Sequence, residues 1–291
     1  AKKLKEKYPN HQIIIGDPQK KVIWYSDIYK NNPNITPVKK FDSKKKFTWV
    51  ENFPGNRPYI LNTNGKQIFW NMKYRSIKGE FYFDAKEKEF ADNTIQRFLK
   101  NWHKTNLKKY KKIIFIETSR KAKNTKHGLS NRDWGIENWI KFVNIYKKDY
   151  LFVQSLHKDS KIINGIYAFE SNFRQACAVM SHCDLFIGWE GGFVQAAASL
   201  DKNALVLFGG WVDPIVTGYP FHNNIYIDID GSPCGIRDTI CEHCIECMNL
   251  IKTERVIKAV EKNINKTVAI EIFELLEKFA EYGFNKSHAA S

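Results

Sequence analysis

The stretch Cys183-Asp184-Leu185-Phe186-Ile187-Gly188-Trp189-Glu190-Gly191-Gly192-Phe193-Val194-Gln195-Ala196-Ala197-Ala198 decides the fold. It opens as an apolar run of strand length and closes as a helix of small residues, with adjacent glycines between. A strand that turns at once into a helix brings bare backbone N–H groups to its carboxyl edge. The helix N-terminus adds about 0.3 to 1 kcal/mol per nearby negative charge. Glycine lets an anion such as a diphosphate approach the main chain closely. The pattern is neither G-x-G-x-x-G nor a P-loop, so a tight turn without a ligand stays open as the alternative.

Working outward, apolar runs at 113–116, 150–153, 185–188, 204–208 and 225–229 read as strands, and 133–146, 172–180 and 192–200 as helices between them. Such alternation predicts an α/β fold with a doubly wound parallel sheet. A second glycine pair closes the next strand, in Val206-Leu207-Phe208-Gly209-Gly210-Trp211, followed by Asp213-Pro214. Neighbouring parallel strands that both end in Gly-Gly would line one crevice. Glu117-Thr118-Ser119 and Arg132-Asp133-Trp134 are further contributors, since hydroxyls and Arg grip phosphate. Helices at 254–263 and 268–282 close the chain. The second carries an apolar face, Ile272, Leu275, Leu276 and Phe279, that must dock, with the N-terminal half as one partner.

Upstream, residues 2–7 read as a helix end closed by Tyr8-Pro9-Asn10, and Ile13-Ile14-Ile15 as a strand ending at Gly16-Asp17-Pro18. Residues 22–29 read as strand or helix, and 52–64 as turn-rich. Asp84-Ala85-Lys86-Glu87 is a capping-box start to a helix reaching about Trp102. The basic connector at 103–112 marks the boundary, giving domains 1–108 and 109–291.

A chain of 291 residues with 43% hydrophobic content is too large for a disulfide-stapled miniprotein and too apolar for global disorder. No run approaches the apolar length of a membrane span, and the charged N-terminus lacks the apolar segment of an export signal, so a cytoplasmic location is expected. The net charge is +15, and residues 1–110 hold 24 Lys/Arg against 10 Asp/Glu. Such a basic block attracts nucleic acid, anionic lipid or an acidic glycolipid, or is simply a solvated surface. A nucleic-acid-binding protein is therefore the alternative class, although RNA-binding aromatic motifs and helix-turn-helix signals are absent.

Cys234, Cys241, Cys244 and Cys247 form C-x6-C-x2-C-x2-C. Four thiolates at this spacing suit structural Zn or iron, or an iron–sulfur cluster; reduced thiols and a disulfide are the alternatives. Cys177 and Cys183 fall on apolar elements and read as core. His127, His157 and His222 read as surface residues. Trp134 and Trp139 read as packing, while Trp189 or Trp211 lies beside the crevice.

Taken in order, these segments resemble glycosyltransferase family 9, which includes the lipopolysaccharide heptosyltransferases. The similarity runs through Lys5-Glu6-Lys7-Tyr8-Pro9, Tyr82-Phe83-Asp84, Asn131-Arg132-Asp133-Trp134-Gly135 with Trp139, and Asp184 to Ala198. It continues through Leu207-Phe208-Gly209-Gly210, Gly218-Tyr219-Pro220 and Cys247-Met248. The resemblance implies a GT-B architecture, two Rossmann-like domains facing a cleft, with the acceptor on the N-terminal side and a nucleotide-sugar on the C-terminal side. It implies Glu190, Gly191, Gly192 and Gln195 as contacts to the donor diphosphate and sugar, Thr118, Ser119 and Arg132 as further phosphate contacts, and Gly209 and Gly210 beside them. The implied activity is metal-independent transfer of a heptose or related sugar from a nucleotide-diphosphate donor to an anionic glycolipid, such as a lipopolysaccharide core, or another glycan. Peripheral contact with the inner face of a membrane would follow.

Two departures accompany the resemblance. The family more often carries Asp-Thr-Gly and a His where this chain has Glu190-Gly191-Gly192 and Gln195, which points away from heptose. The family also begins with a strand and a Gly-Asp loop bearing the proposed catalytic base. This chain reads as starting inside the helix after that loop, with the first strand absent and an inactive or truncated member as an alternative. The catalytic base is thus unassigned, and Asp17 is either a substitute or a turn cap.

Overall fold

The computed structural model describes residues 1–51, 57–106, 109–118, 131–157, 160–237 and 239–262. Ser119, His127 and the expected helix at 268–282 lie outside the described residues.

The N-terminal part begins with α1 (Lys2–Lys7), β1 (Gln12–Asp17), β2 (Val22–Ile23) and β3 (Phe47–Glu51). They form a sheet ordered β2-β1-β3, with β1 parallel to β3 and antiparallel to β2. The isoleucine run of β1 is buried, as its apolarity requires. Asp17 ends that strand as a turn cap, its Oδ1 accepting from the N–H groups of Gln19 and Lys20 at 3.0 and 3.1 Å. A separate hairpin joins β4 (Ile60–Asn64), which falls in the stretch read as turn-rich, to β5 (Gln67–Trp70).

α2 (Ala85–Thr105) starts with the expected capping box: Asp84 accepts from the Glu87 N–H and Glu87 accepts from the Asp84 N–H. Its buried positions Ala91, Ile95, Phe98 and Trp102 recur at three- and four-residue steps and give one apolar stripe. That stripe joins Phe115, Leu151, Val153 and Val179 in a common core. By packing, α2 lies against the C-terminal layer.

The C-terminal part runs β6 (Lys112–Ile116), α3 (Ile136–Tyr146), β7 (Tyr150–Leu156), β8 (Ile166–Glu170), α4 (Phe173–Ser181), β9 (Leu185–Trp189) and α5 (Gly192–Ser199). It continues with β10 (Asn203–Phe208), α6 (Pro214–Thr217), β11 (Asn223–Tyr226) and α7 (Glu242–Leu250), followed by helical residues 253–262. The helix expected at 133–146 starts at Ile136, because Gly135 turns the chain with φ +86°.

All six strands are parallel, in the order β11-β10-β9-β6-β7-β8. Alternate residues face opposite cores. Ile113, Phe115, Phe186 and Val206 pack on one side, with α2, α4 and α5. Ile114, Ile116, Ile187 and Leu207 pack on the other, with α3 and residues 253–262. Both faces are covered, which is why these strands are almost wholly apolar. Counted from β6, the order is that of a doubly wound dinucleotide-binding sheet. Its direction of winding reverses between β6 and β9, and the crevice outside the carboxyl ends at that reversal is where such sheets bind ligands.

Candidate functional site

Three segments meet at the reversal. β6 runs into Glu117 and Thr118, and the Glu117 N–H bonds the Ile187 carbonyl of β9 at 2.9 Å. β9 runs into Glu190, whose N–H bonds the Leu207 carbonyl of β10 at 3.2 Å. Gly191 then caps α5, and Gly192 is its first residue.

The two glycine pairs differ in what they are for. A Cβ on Gly191 would find its nearest neighbour, Trp189, at 4.0 Å, and one on Gly192 would meet the Phe173 ring at 3.5 Å, both ordinary contact. Nothing in the packing requires glycine there, and Gly192 is exposed. A Cβ on Gly209 would lie 2.8 Å from Met248 Sδ, and one on Gly210 would lie 2.5 Å from both Cys247 Sγ and His243 Cε1. Both glycines are buried. Gly209 and Gly210, expected in the anion crevice, let β10 close against α7, whereas Gly191 and Gly192 have no such neighbours.

Arg132 reaches this open turn. Its Nη1 is hydrogen-bonded to the Glu190 carboxylate, and to the Glu190 carbonyl oxygen at 3.2 Å, while its guanidinium lies over the Trp211 ring at 4.5 Å. Trp211 is held edge-on by Trp70 at 4.9 Å, and its carbonyl accepts from Trp70 Nε1 at 2.9 Å. The β4–β5 hairpin thus backs the site, also bonding the loop after β11 through Ile68 N–H to the Gly235 carbonyl at 3.0 Å and Gln67 Nε2 to the Cys234 carbonyl at 3.1 Å.

Thr118 is buried and donates to Gln154 Oε1 at 3.2 Å. Gln195 points along α5 to a different neighbourhood, donating to the Thr217 carbonyl at 2.9 Å and accepting from the Tyr219 hydroxyl at 2.5 Å. Burial pushes the Tyr219 phenol up to about 12. His222, read as a surface residue, is buried beside Tyr219, and desolvation lowers its pKa to about 4. Trp134 and Trp139 are fully packed, edge to face at 4.8 Å.

In the cysteine segment, Cys234 Sγ lies 3.6 Å from Cys241 Sγ and 3.1 Å from Cys244 Sγ. Together with a ring nitrogen of His243, these ligand atoms all lie within 4.8 Å of one another. Cys247 is not in that group; its Sγ sits 3.9 Å from His243 Nε2, under Gly210. The expected four-thiolate set is corrected to three thiols and His243. The reason is helical geometry: Cys247 lies one turn further along α7, beneath β10. With bonds of about 2.3 Å, a tetrahedral site has sulfur–sulfur edges near 3.8 Å, which Cys234, Cys241 and Cys244 approach. Cys234 and Cys244 share a sulfur hydrogen bond, which draws the Cys234 thiol below its usual range and pushes the Cys244 thiol up. Cys177 and Cys183 are fully buried, and desolvation raises both thiols.

Arg174, which carries no motif, is the strongest polar junction among the described residues. It donates to Glu87 Oε1 at 2.6 Å and Oε2 at 2.8 Å, and to the carbonyls of Tyr82, Asp27 and Ile28 at 2.7, 3.0 and 3.2 Å. All five guanidinium donors are used, which ties α4 to α2, to Tyr82 before it and to the connection between β2 and β3. Arg174 holds the Glu87 carboxyl below its ordinary pKa.

No family model matches the chain. Among curated proteins, DNA polymerase III subunit alpha of Borreliella burgdorferi is 54% identical over 44 residues, 15% of this chain and 4% of the polymerase. That of Buchnera aphidicola is 61% identical over 36 residues, 12% of this chain and 3% of the polymerase. The chain thus spans only a few per cent of these relatives. Solved structures similar in fold include a glycosyl transferase family 9 protein from Veillonella parvula (16% identity, TM-score 0.46), covering 65% of this chain and 54% of that one. Escherichia coli ADP-heptose lipopolysaccharide heptosyltransferase II matches at 14% and 0.43 over the same shares. The iron-containing dodecameric glycosyltransferase TibC of enterotoxigenic E. coli matches at 14% and 0.41, covering 54% of this chain and 45% of that one. The chain spans about half the length of these structures, and the likeness is one of fold.

Proposed function

We propose that this chain carries the nucleotide-sugar half of a GT-B glycosyltransferase, which moves a sugar from a nucleoside-diphosphate donor to an anionic glycolipid or glycan. The single observation that supports this reading most is the Glu190-Gly191-Gly192 turn. It stands at the winding reversal of the sheet, open to the outside, with a cation poised over it. The Gly191 and Gly192 amides and the start of α5 receive the diphosphate. Arg132 exchanges the Glu190 carboxylate for the departing diphosphate, whose charge grows as the bond to the anomeric carbon breaks. Trp211 keeps the guanidinium planar to the crevice through that exchange. The acceptor hydroxyl's proton goes to a carboxylate base that we leave unassigned, since Asp17 is occupied as a turn cap.

A Zn or iron ion at Cys234, Cys241, His243 and Cys244 serves as a structural cross-link in this scheme, bracing the hairpin contact and the β10–α7 packing. On the N-terminal side, exposed Val22, Trp24 and Tyr25 stand next in sequence to Lys20 and Lys21 and suit peripheral contact with an anionic membrane on the cytoplasmic side. Among the described residues, no helix is long and apolar enough to cross a membrane.

Thermal melting in the presence of ADP, UDP, GDP and CDP and their sugar conjugates tests the proposal. A melting rise of several degrees with one nucleotide series is expected, and no rise with any of them contradicts it. A second reading, nucleic-acid binding, rests on the basic N-terminal third, where residues 1–110 carry 24 Lys/Arg against 10 Asp/Glu. It predicts steeply salt-dependent DNA binding that Gly191→Asp leaves unchanged.

A further inference from the structure

Phe173 is the first residue of α4, at the same carboxyl edge of the sheet as the Gly191-Gly192 turn. Its side chain is 37% exposed. Its inner side is fixed. The ring stacks on Phe193 at 5.2 Å with an interplanar angle of 27°, and Phe193 in turn contacts the core ring Phe115 at 5.1 Å. Phe81 leans on it at 6.4 Å. The next residue, Arg174, is locked by five hydrogen bonds, so the backbone beneath the ring has little freedom. Phe173 is thus the outermost ring of an aromatic column that rises from the core to the crevice mouth. It stops where a Cβ on Gly192 would be 3.5 Å away.

We infer that Phe173 is the platform of a sugar subsite: its free face stacks against the apolar C–H face of the donor's sugar while the diphosphate occupies the Gly191-Gly192 turn. The inference rests on the glycosyltransferase reading and adds to it a residue that distinguishes a nucleotide-sugar from a bare nucleotide. A pyranose gathers axial C–H bonds into apolar patches on its faces and carries its equatorial hydroxyls at the rim, so such a patch matches a flat, half-exposed ring held rigidly at its other side. Rigidity matters, because a pre-ordered platform loses little entropy on binding. Glycine at 192 leaves room for the sugar next to the ring, where the packing gives no reason of its own for glycine.

The test is a set of equilibrium titrations of the full chain with the nucleoside diphosphates ADP, UDP and GDP and with ADP-heptose, UDP-glucose and GDP-mannose. Wild type, Phe173→Tyr, Phe173→Leu and Phe173→Ala are compared. For the nucleotide that wild type prefers, the inference predicts a loss of about tenfold in affinity for the sugar conjugate in the Ala and Leu variants, with the bare diphosphate unchanged within about twofold and Tyr retaining both. Phe173→Leu keeps the bulk and covers the case in which the Ala variant fails to fold. Equal affinity of all variants for the conjugate overturns the inference and leaves the glycosyltransferase reading standing. Parallel loss of conjugate and bare diphosphate overturns it too, assigning Phe173 a packing role. Failure of wild type to bind any of the six compounds overturns both.

Discussion

Replacing Arg174 with Met removes all five of its hydrogen bonds at once and leaves a carboxylate and three carbonyls facing an apolar chain. The Arg174 and Glu87 side chains are only 5% and 11% exposed, so the pair belongs with buried ion pairs, not surface ones. Breaking such a pair by removing one partner costs about 3 to 5 kcal/mol, because the remaining charge stays desolvated. At about 2 to 4 °C per kcal/mol for a chain of this size, the melting temperature should fall by about 6 to 20 °C. Converting Glu87 to Leu in the same chain removes the stranded charge, and the double variant should recover much of the loss. The pH dependence gives an independent check. The Glu87 carboxyl is held below its ordinary value of 4.5 by the Arg174 hydrogen bonds, so its stabilisation is complete above about pH 4.5 and is lost as pH falls through the folded-state value. Thermal and urea melts of wild type, Arg174→Met and the double variant, each from pH 7 to pH 3, read all of this. A single variant that melts within about 2 °C of wild type, with the same acid limb, would refute the claim that this buried pair holds α4 to α2.

Three further outcomes are expected. Gly210→Ala should destabilise the fold by about 1 to 3 kcal/mol through overpacking against Cys247 and His243, whereas Gly191→Ala should stay within about 0.5 kcal/mol of wild type; chemical denaturation compares them. His222 has a folded pKa of about 4 against an ordinary 6.5, so the unfolded chain binds its proton first and stability falls as pH drops from about 6.5 to 4. His222→Phe should flatten that part of the stability profile. If the cysteine cluster holds Zn or iron, elemental analysis should find about one ion per chain, and Cys234→Ser with Cys244→Ser should abolish it while lowering the melting temperature.

The parts of the fold legible in the sequence were those whose signal is local. β6, β9 and β10 are apolar runs closed by a turn, and the Asp84–Glu87 capping box is written in four residues. The β4–β5 hairpin was hidden because β4 is largely exposed and polar, so neither burial nor alternation marks it. β8 is only five residues long, lies between β7 and α4 and mixes buried with half-buried positions, so neither continuous burial nor strict alternation marks it. The site was half legible. Strand-to-helix glycines announce a turn, but only the strand order shows that Gly191 stands at the winding reversal. Nothing local separates the open pair at 191–192 from the packed pair at 209–210, since the atoms that fill the second space come from α7. Arg132 and Glu190 are 58 positions apart, and Arg174 meets Glu87 across 87 positions, distances at which no spacing rule operates. His243 was overlooked beside more conspicuous cysteines, although it lies within the same segment.

The most direct measurement is the affinity of the preferred nucleoside diphosphate for wild type and for Gly191→Asp, by calorimetry at moderate salt. If main-chain amides at this turn receive the diphosphate, the new carboxylate repels it and blocks its approach. Binding should then fall at least about tenfold while the variant melts close to wild type. Equal affinity in the two proteins would contradict the account, since the ligand would then be held somewhere other than the strand-to-helix turn after β9.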